Sequence, residues 1–124
     1  ADQAYKMAGI GPQQVDVAEV HDCFTIAELM AYENLGFAEP GEGKDLIRAK
    51  ETYLGGRIPV NVDGGLLSKG HPIGATGGSQ VRTIVLQLRD EAGDIQVKDP
   101  AIGLIHNIGG VGLYGNVTIL GRDS

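Results

Sequence analysis

Glycine punctuates this chain in clusters. Twenty of its 124 residues are glycine, where an ordinary composition would give roughly 7%. They gather at Gly64-Gly65, Gly70, Gly74, Gly77-Gly78 and Gly109-Gly110-Val111-Gly112. Each cluster lies between segments that read as regular structure, so these glycines do not form a flexible linker. Glycine tolerates φ > 0 and lets a backbone or a ligand approach closely. Turns of this kind either give a small α/β domain its tight corners or converge to build a site from main-chain N–H groups. At this level both readings stay open.

Length and composition narrow the classes of function. A chain of 124 residues is long enough for one real core, and 42% hydrophobic with 21% charged residues reads as globular. Ten basic against sixteen acidic side chains give a net charge of −6. No basic stripe is available to neutralise phosphates, which argues against nucleic acid as a partner. No apolar run approaches the ~20 residues of a membrane span, and the first residues do not form a charged-then-apolar leader. One cysteine allows no intrachain disulfide, and a reducing, intracellular setting is the simplest expectation.

The periodicities predict the order α-β-α-α-β-α-β-β, an α/β layered fold with a hairpin at one edge. The chain opens in what reads as a helix over 2–8, stopped by Gly9 and Gly11-Pro12, and an N-terminal side is therefore expected to precede it. Residues 15–20 read as a short buried strand. Thr25 to Glu28 fits a capping box, with the threonine as N-cap, and Gly36 suits the end of the helix that follows. A polar loop over 39–43, a short helix over 44–51 and a strand over 58–62 come next. From 74 to 92 runs the strongest helical signal, with Val81, Ile84, Val85, Leu88 and Ala92 on one apolar stripe and Gln87 off it. Strands over 101–105 and 113–120 finish the chain, joined by the glycine-rich turn.

The chemistry-bearing side chains fall at three expected strand ends, where open α/β sheets bind ligands. These are His21-Asp22-Cys23-Phe24, Lys69-Gly70-His71-Pro72 and His106-Asn107. All three histidines and the only cysteine are in this set. Such a set suits proton transfer beside a thiol, since a helix N-terminus or a nearby imidazolium favours a thiolate. Imidazole N–H groups and glycine-turn amides can hold a developing oxyanion. The bland alternatives are a small buried cysteine and hydrogen-bonded packing histidines. A zinc site is a third reading, but His21-x-Cys23 matches common zinc spacings poorly.

Val60-Asn61-Val62-Asp63-Gly64-Gly65, running into Gly70-His71-Pro72-Ile73-Gly74-Ala75-Thr76-Gly77, resembles the "VN…GG…GHPxGAxG" signature of thiolases. Ordinary thiolases carry Asn-Glu-Ala-Phe where this chain has His21-Asp22-Cys23-Phe24. That replacement is similar to the sterol-carrier-protein type and to related archaeal or bacterial acetyl-CoA acetyltransferases. His106-Asn107-Ile108-Gly109 likewise resembles their final loop, and the stretch 37–57 is longer than in ordinary thiolases, as in that subgroup. The resemblance spans residues 1–120. It implies a thiolase-type layered fold, with residues 1–124 as the C-terminal half of a duplicated βαβαβαββ unit. The first strand of that half is expected before Ala1, and the N-terminal half, with the cysteine that becomes acylated, elsewhere in a longer enzyme.

By position, the resemblance implies a role for each loop. His71 would activate the nucleophile of the other half and help bind the thioester oxygen. His21 would complete that oxyanion hole, and Cys23 would move the α-proton of the second acyl-CoA. The Gly109 N–H would serve a second oxyanion hole, with Gly110 as the alternative by a one-residue shift of alignment. His106, Asn107 and Gly74 would belong to the substrate loops without an assigned role. Coenzyme A thioesters would be substrates, with no cofactor and no metal. A dimer or tetramer in the cytoplasm, or in the peroxisome of a eukaryote, is expected for the complete enzyme. A thiolase-fold aldolase subunit and a non-catalytic scaffold are the competing readings; the intact His21, Cys23 and His71 argue against the aldolase. Incubated alone with acetoacetyl-CoA and CoA, the 124-residue chain is expected to give no acetyl-CoA. Turnover abolished by Cys23→Ala would overturn that expectation.

Overall fold

The strand formed by Ile102–Gly109 organises the molecule, because it is covered on both faces. The computed structural model describes residues 1–123. Its elements are α1 (Asp2–Ala8), β1 (Val17–Glu19), α2 (Thr25–Asn34), α3 (Gly43–Arg48), α4 (Gly65–Lys69), α5 (Thr76–Leu88), β2 (Ile102–Gly109) and β3 (Tyr114–Gly121). Single 3₁₀ turns lie at Pro12–Gln14, Gly93–Ile95 and Gly110–Gly112. The sheet runs β1-β2-β3, with β1 parallel and β3 antiparallel to β2. Val60 adds one parallel bridge to the outer side of β1 at Ala18. The α/β layered class expected from the sequence is the class observed.

Strand alternation divides the core in two. Leu104 packs with Ala18, Val20, Ala31, Tyr32, Leu35, Phe37 and Ile58 on the α1–α2 side. Ile105 packs with Val17, Ile84, Leu88 and Val97 on the α5 side. The Tyr5 hydroxyl crosses between helices to donate to the Leu35 carbonyl at 2.7 Å, tying α1 to the end of α2. Gly103 lies where α5 crosses the sheet, and a Cβ there would overlap the Ile84 side chain. That missing methyl group sets how closely helix and sheet approach.

Several expectations are corrected by the structure. Phe24 takes the N-cap position of α2 and Thr25 is already helical, with no side-chain cap bond. Glu28 accepts from the Tyr32 hydroxyl at 2.6 Å instead; a phenol whose ring is buried needs an acceptor, and the i−4 carboxylate is in reach. The stripe on α5 is rotated. Val81 is 42% exposed, whereas Gln80, Thr83 and Gln87 are buried beside Ile84 and Leu88. The glutamines tolerate burial because each is fully engaged: Gln87 donates to Ile95 O and accepts from Val97 N. The helix ends at Leu88, where Asp90 (φ 59) and Gly93 (φ 60) turn the chain away. Residues 58–62 contribute only the bridge at Val60, and the five-residue α4 was not anticipated. β2 continues to Gly109, so His106 and Asn107 lie in the strand, paired with Val117 and Asn116, and not in a loop.

No helix is long and apolar enough to cross a membrane among the described residues. The glycine contacts make a clean test of packing. Gly103→Val should cost about 1–3 kcal/mol by overpacking against Ile84, read as a clear drop in thermal midpoint. Gly115→Val, where a Cβ meets nothing within 4 Å, should stay within about 0.5 kcal/mol of the parent.

Candidate active site

The first segment of the site is the turn after β1. Strand alternation aims Glu19 at the α5 side, Val20 enters the α1–α2 core, and the chain then leaves the sheet at His21. His21 is 4% exposed. The next residue, Asp22, points away from the cavity and is equally buried. Its Oδ1 accepts from Leu66 N at 2.7 Å and Oδ2 from Leu67 N at 3.4 Å. Asp22 thus occupies the amino end of α4, where free N–H groups and the helix dipole favour a carboxylate. Gly65 makes this possible. Its φ is 62, and a Cβ on it would overlap the Asp22 carboxylate. Neither Asp22 nor this use of Gly65 was read from the sequence, although both lie in the quoted motifs; the signal was a carboxylate and a glycine pair with no assigned work.

The second segment runs from α4 into α5. Pro72 O accepts from the N–H groups of Ala75 and Thr76 at 2.8 and 3.0 Å, folding the glycine-containing turn back on itself. The Thr76 hydroxyl, in the first residue of α5, donates to Pro72 O at 3.2 Å. It lies 2.6 Å from His71 Nδ1. A hydroxyl has one hydrogen. With that hydrogen on Pro72 O, Thr76 accepts from His71 Nδ1–H, which leaves the Nε2 lone pair free to take a proton. The five-residue spacing of His71 and Thr76 across the turn is the sequence signal for this pair, and it was missed.

The histidines meet. The rings of His21 and His71 stand edge to face, their centroids 4.8 Å apart at 86°. Burial first, then the proximity of His71, lowers the pKa of His21, with Asp22 opposing. His106 joins from β2. Burial and then His21 push it down to about 4, and its Nδ1, like that of His21, is buried without a partner. The cluster therefore resists holding several protons at once.

Strand alternation sends Asn107 the other way, onto α5. Its Nδ2 donates to Gln80 Oε1 at 2.7 Å, and Gln80 Nε2 donates to His106 O at 3.2 Å. One buried glutamine so holds two successive residues of β2. Gln80 was missed because a glutamine in a helix reads as a surface residue.

A cavity of about 920 Å³ is lined by His21, Cys23, His71, His106, Asn107 and the backbone of 109–112, with Ile26, Met30, Leu66 and Leu67 as its apolar wall. Gly109 ends β2 in extended conformation, and Gly110 turns the chain with φ 59. Val111 follows in the left-handed region at φ 57, fully exposed, a conformation that costs a β-branched residue of order 1–2 kcal/mol. Of the expected site residues, Gly74 alone is not among those lining the cavity; it is exposed in the 72–76 turn. Phe24, Ile73 and Leu113 leave a broad apolar rim exposed around the site. Among the described residues no group of three or more His, Cys, Asp or Glu side chains is arranged to hold a metal ion.

The depressed His106 value carries a signed prediction. Its folded-state pKa of about 4 lies below the ordinary 6.5. The neutral ring stabilises the fold above pH 6.5, and that contribution is lost as pH falls toward about 4. The His106 ring signal in proton NMR should titrate near 4, and His106→Asn should flatten the acid limb of stability in that window. A midpoint near 6.5 would contradict the burial described here.

Comparison with known proteins identifies the family and agrees with the fold. The family model "Thiolase C-terminal domain-like" matches residues 1–122. An acetyl-CoA acetyltransferase of Methanothermobacter thermautotrophicus is 49% identical over 122 residues, covering 98% of this chain and 32% of that protein. Human sterol carrier protein 2 is 44% identical over 109 residues, covering 88% of this chain and 20% of that protein. Among solved structures, one described as an Ltp2-ChsH2(DUF35) aldolase superposes with a TM-score of 0.88 at 30% identity, over 98% of this chain and 30% of its own. The chain thus spans a third or less of the length of these relatives. A match over nearly every residue, on a fold of this form, places the chain in the thiolase family as a C-terminal thiolase domain.

Proposed function

We propose that this domain supplies the acid/base and oxyanion-binding half of a thiolase-like acyltransferase acting on coenzyme A thioesters, by Claisen condensation or its reverse, thiolysis. One observation carries the reading: His21, Cys23, His71 and the Gly109-Gly110 backbone open onto one cavity with an apolar wall. The residues fit distinct steps. His71, its Nδ1 held by Thr76, takes the proton of a cysteine brought by the other half of the enzyme and then faces the thioester oxygen as an imidazolium. His21 stays neutral beside it and offers a hydrogen bond to the same oxygen. Cys23 removes the α-proton of the second acyl-CoA, the carbanion attacks the acyl-enzyme carbonyl, and the C–S bond to the nucleophilic cysteine breaks, releasing the 3-ketoacyl-CoA and returning that cysteine as a thiolate. The Gly109 N–H, or that of Gly110, meets the charge that develops there.

This chemistry uses the thioester as both electrophile and carbanion source, so it calls for no cofactor beyond the substrates. The exposed apolar rim fits coverage by the N-terminal half, and the complete enzyme is proposed to be a homodimer or tetramer. On its own the domain lacks the acyl acceptor and is proposed to be inactive. A second reading, carbon–carbon cleavage as in the aldolase it superposes on, is favoured by that fold match alone; Cys23 and His21 on the cavity wall favour acyl transfer.

The test is rapid-quench acylation beside steady-state condensation in the full-length enzyme. Cys23→Ser should slow condensation ~10²–10⁴-fold, the usual loss for a general acid–base, while acylation largely survives. His71→Ala should impair both steps. His21→Ala should cost about 3–4 kcal/mol of oxyanion stabilisation in condensation. Unchanged condensation in Cys23→Ser would move the proton shuttle elsewhere, with His106 next to be tried, and would sink the assignment.

A further inference from the structure

Below the histidine cavity, on the α5 side of the sheet, lie two carboxyl groups and one ammonium that the reaction above does not use. Glu19 of β1 is completely buried. Its Oε2 lies 3.5 Å from Lys69 Nζ, and its Oε1 has no partner. Lys69, the last residue of α4, also bonds Asp63 Oδ2. Asp63 accepts further from the Thr83 hydroxyl at 2.7 Å and from Gly65 N at 3.0 Å.

The charges do not balance if both carboxyls ionise. One ammonium, itself in reach of water, would face two carboxylates, of which Glu19 is fully buried, and burying an uncompensated charge is costly enough that the group neutralises instead. The hydrogen bonds decide which carboxyl keeps the proton. Asp63 has three donors, whereas Glu19 has one long contact and an orphaned oxygen. The charged groups bearing on Glu19 are Asp63, from the turn before α4, and Lys69, from α4 itself; α5 contributes only the Thr83 hydroxyl, through Asp63. Burial, then the Asp63 charge, raises Glu19 to about 8 against the pull of Lys69. Burial would raise Asp63 too, but Lys69, Thr83 and the Gly65 amide outweigh it and hold that carboxyl below its ordinary value.

The position of this cluster gives it a consequence. Glu19 stands two residues before His21, and Lys69 two residues before His71. Beside the Asp22 contact with α4, the cluster is a second polar tie between the two backbones, whose rings meet at 4.8 Å. We propose that Glu19, closed with Asp63 around Lys69, is a positioning residue that holds His21 and His71 in register, and that its ionisation sets two carboxylates against each other around one ammonium and switches the site off in alkali. The proposal rests on the reading of the cavity as a thiolase site.

The test uses the full-length enzyme with Glu19→Gln, a neutral isostere of the protonated acid, and Lys69→Met. Parent and variants are followed by kcat and KM from pH 6 to 10 and, independently of activity, by thermal midpoint across pH 4 to 9. The parent should lose kcat about tenfold per pH unit above about 8 with little change in KM. Glu19→Gln should keep neutral kcat within about threefold and lose that alkaline fall. Lys69→Met should be slow at every pH.

Stability gives the second readout. A carboxyl raised from 4.5 to about 8 in the fold makes stability fall as pH rises through that window, and Glu19→Gln should remove this slope. An unchanged alkaline limb in an active Glu19→Gln enzyme, an unchanged stability slope, or failure of the isostere to fold would each overturn the proposal. A flattened slope in an enzyme without thiolase activity would instead keep Glu19 uncharged and bring down the functional reading.

Discussion

The Asp22 carboxylate, buried between two residues that face the cavity, carries the geometry of the site. It turns away from the cavity and closes the amino end of α4 by accepting from Leu66 and Leu67. The same four-residue turn therefore presents His21 and Cys23 on one side and grips a second segment on the other. α4 delivers the chain to Gly70 and His71, so this contact and the Glu19–Lys69–Asp63 cluster brace the same pair of histidines from two directions. The glycine at position 65 is as necessary as the carboxylate, because the space the carboxylate fills is the space a Cβ would take.

A second support comes from α5, whose inward face is unusually polar. Gln80, Thr83 and Gln87 are buried along one side of it, each spent on a different contact: β2, Asp63, and the turn at 93–97. Apolar residues there would pack the sheet equally well by burial area, but they would leave the carbonyl of His106 and the amide of Asn107 without partners. Leaving such groups unmet in a buried place costs about 1–3 kcal/mol each. The helix thus stabilises the fold through Ile84 and Leu88 and orients the site through its glutamines.

Much of this was legible in the residues. The glycines at 64, 70 and 109–112 marked true turns, although Gly77-Gly78 lie inside α5, the run from Val60 to Gly77 identified the family, and His21, Cys23, His71 and the Gly109-Gly110 turn share one cavity. What escaped was the meaning of polar residues inside apolar patterns. Glu19 sits in a stretch that reads simply as a buried strand, and nothing local reveals that Lys69, fifty residues on, faces it. The α5 stripe was drawn through Val81 because hydrophobicity alone set its phase, whereas tertiary hydrogen bonds rotated Gln80 and Gln87 inward. The Thr25 capping box failed for a similar reason: Tyr32, buried by long-range packing, engaged the glutamate that the box required.

The odd–even order of β2 has one more consequence. His106 faces the histidines and Asn107 faces Gln80 solely because they are neighbours in a strand, and nothing else separates their destinations. A substitution at either position disturbs one wall of the cavity, but the loss or gain of a single residue between 102 and 107 would exchange the walls and both halves of the core together. Length changes before Ile102, in the turns after α5, carry no such penalty. This stretch of chain is therefore closed to drift in length, and insertions that reshape the cavity have their natural place after Gly109, in the exposed turn around Val111.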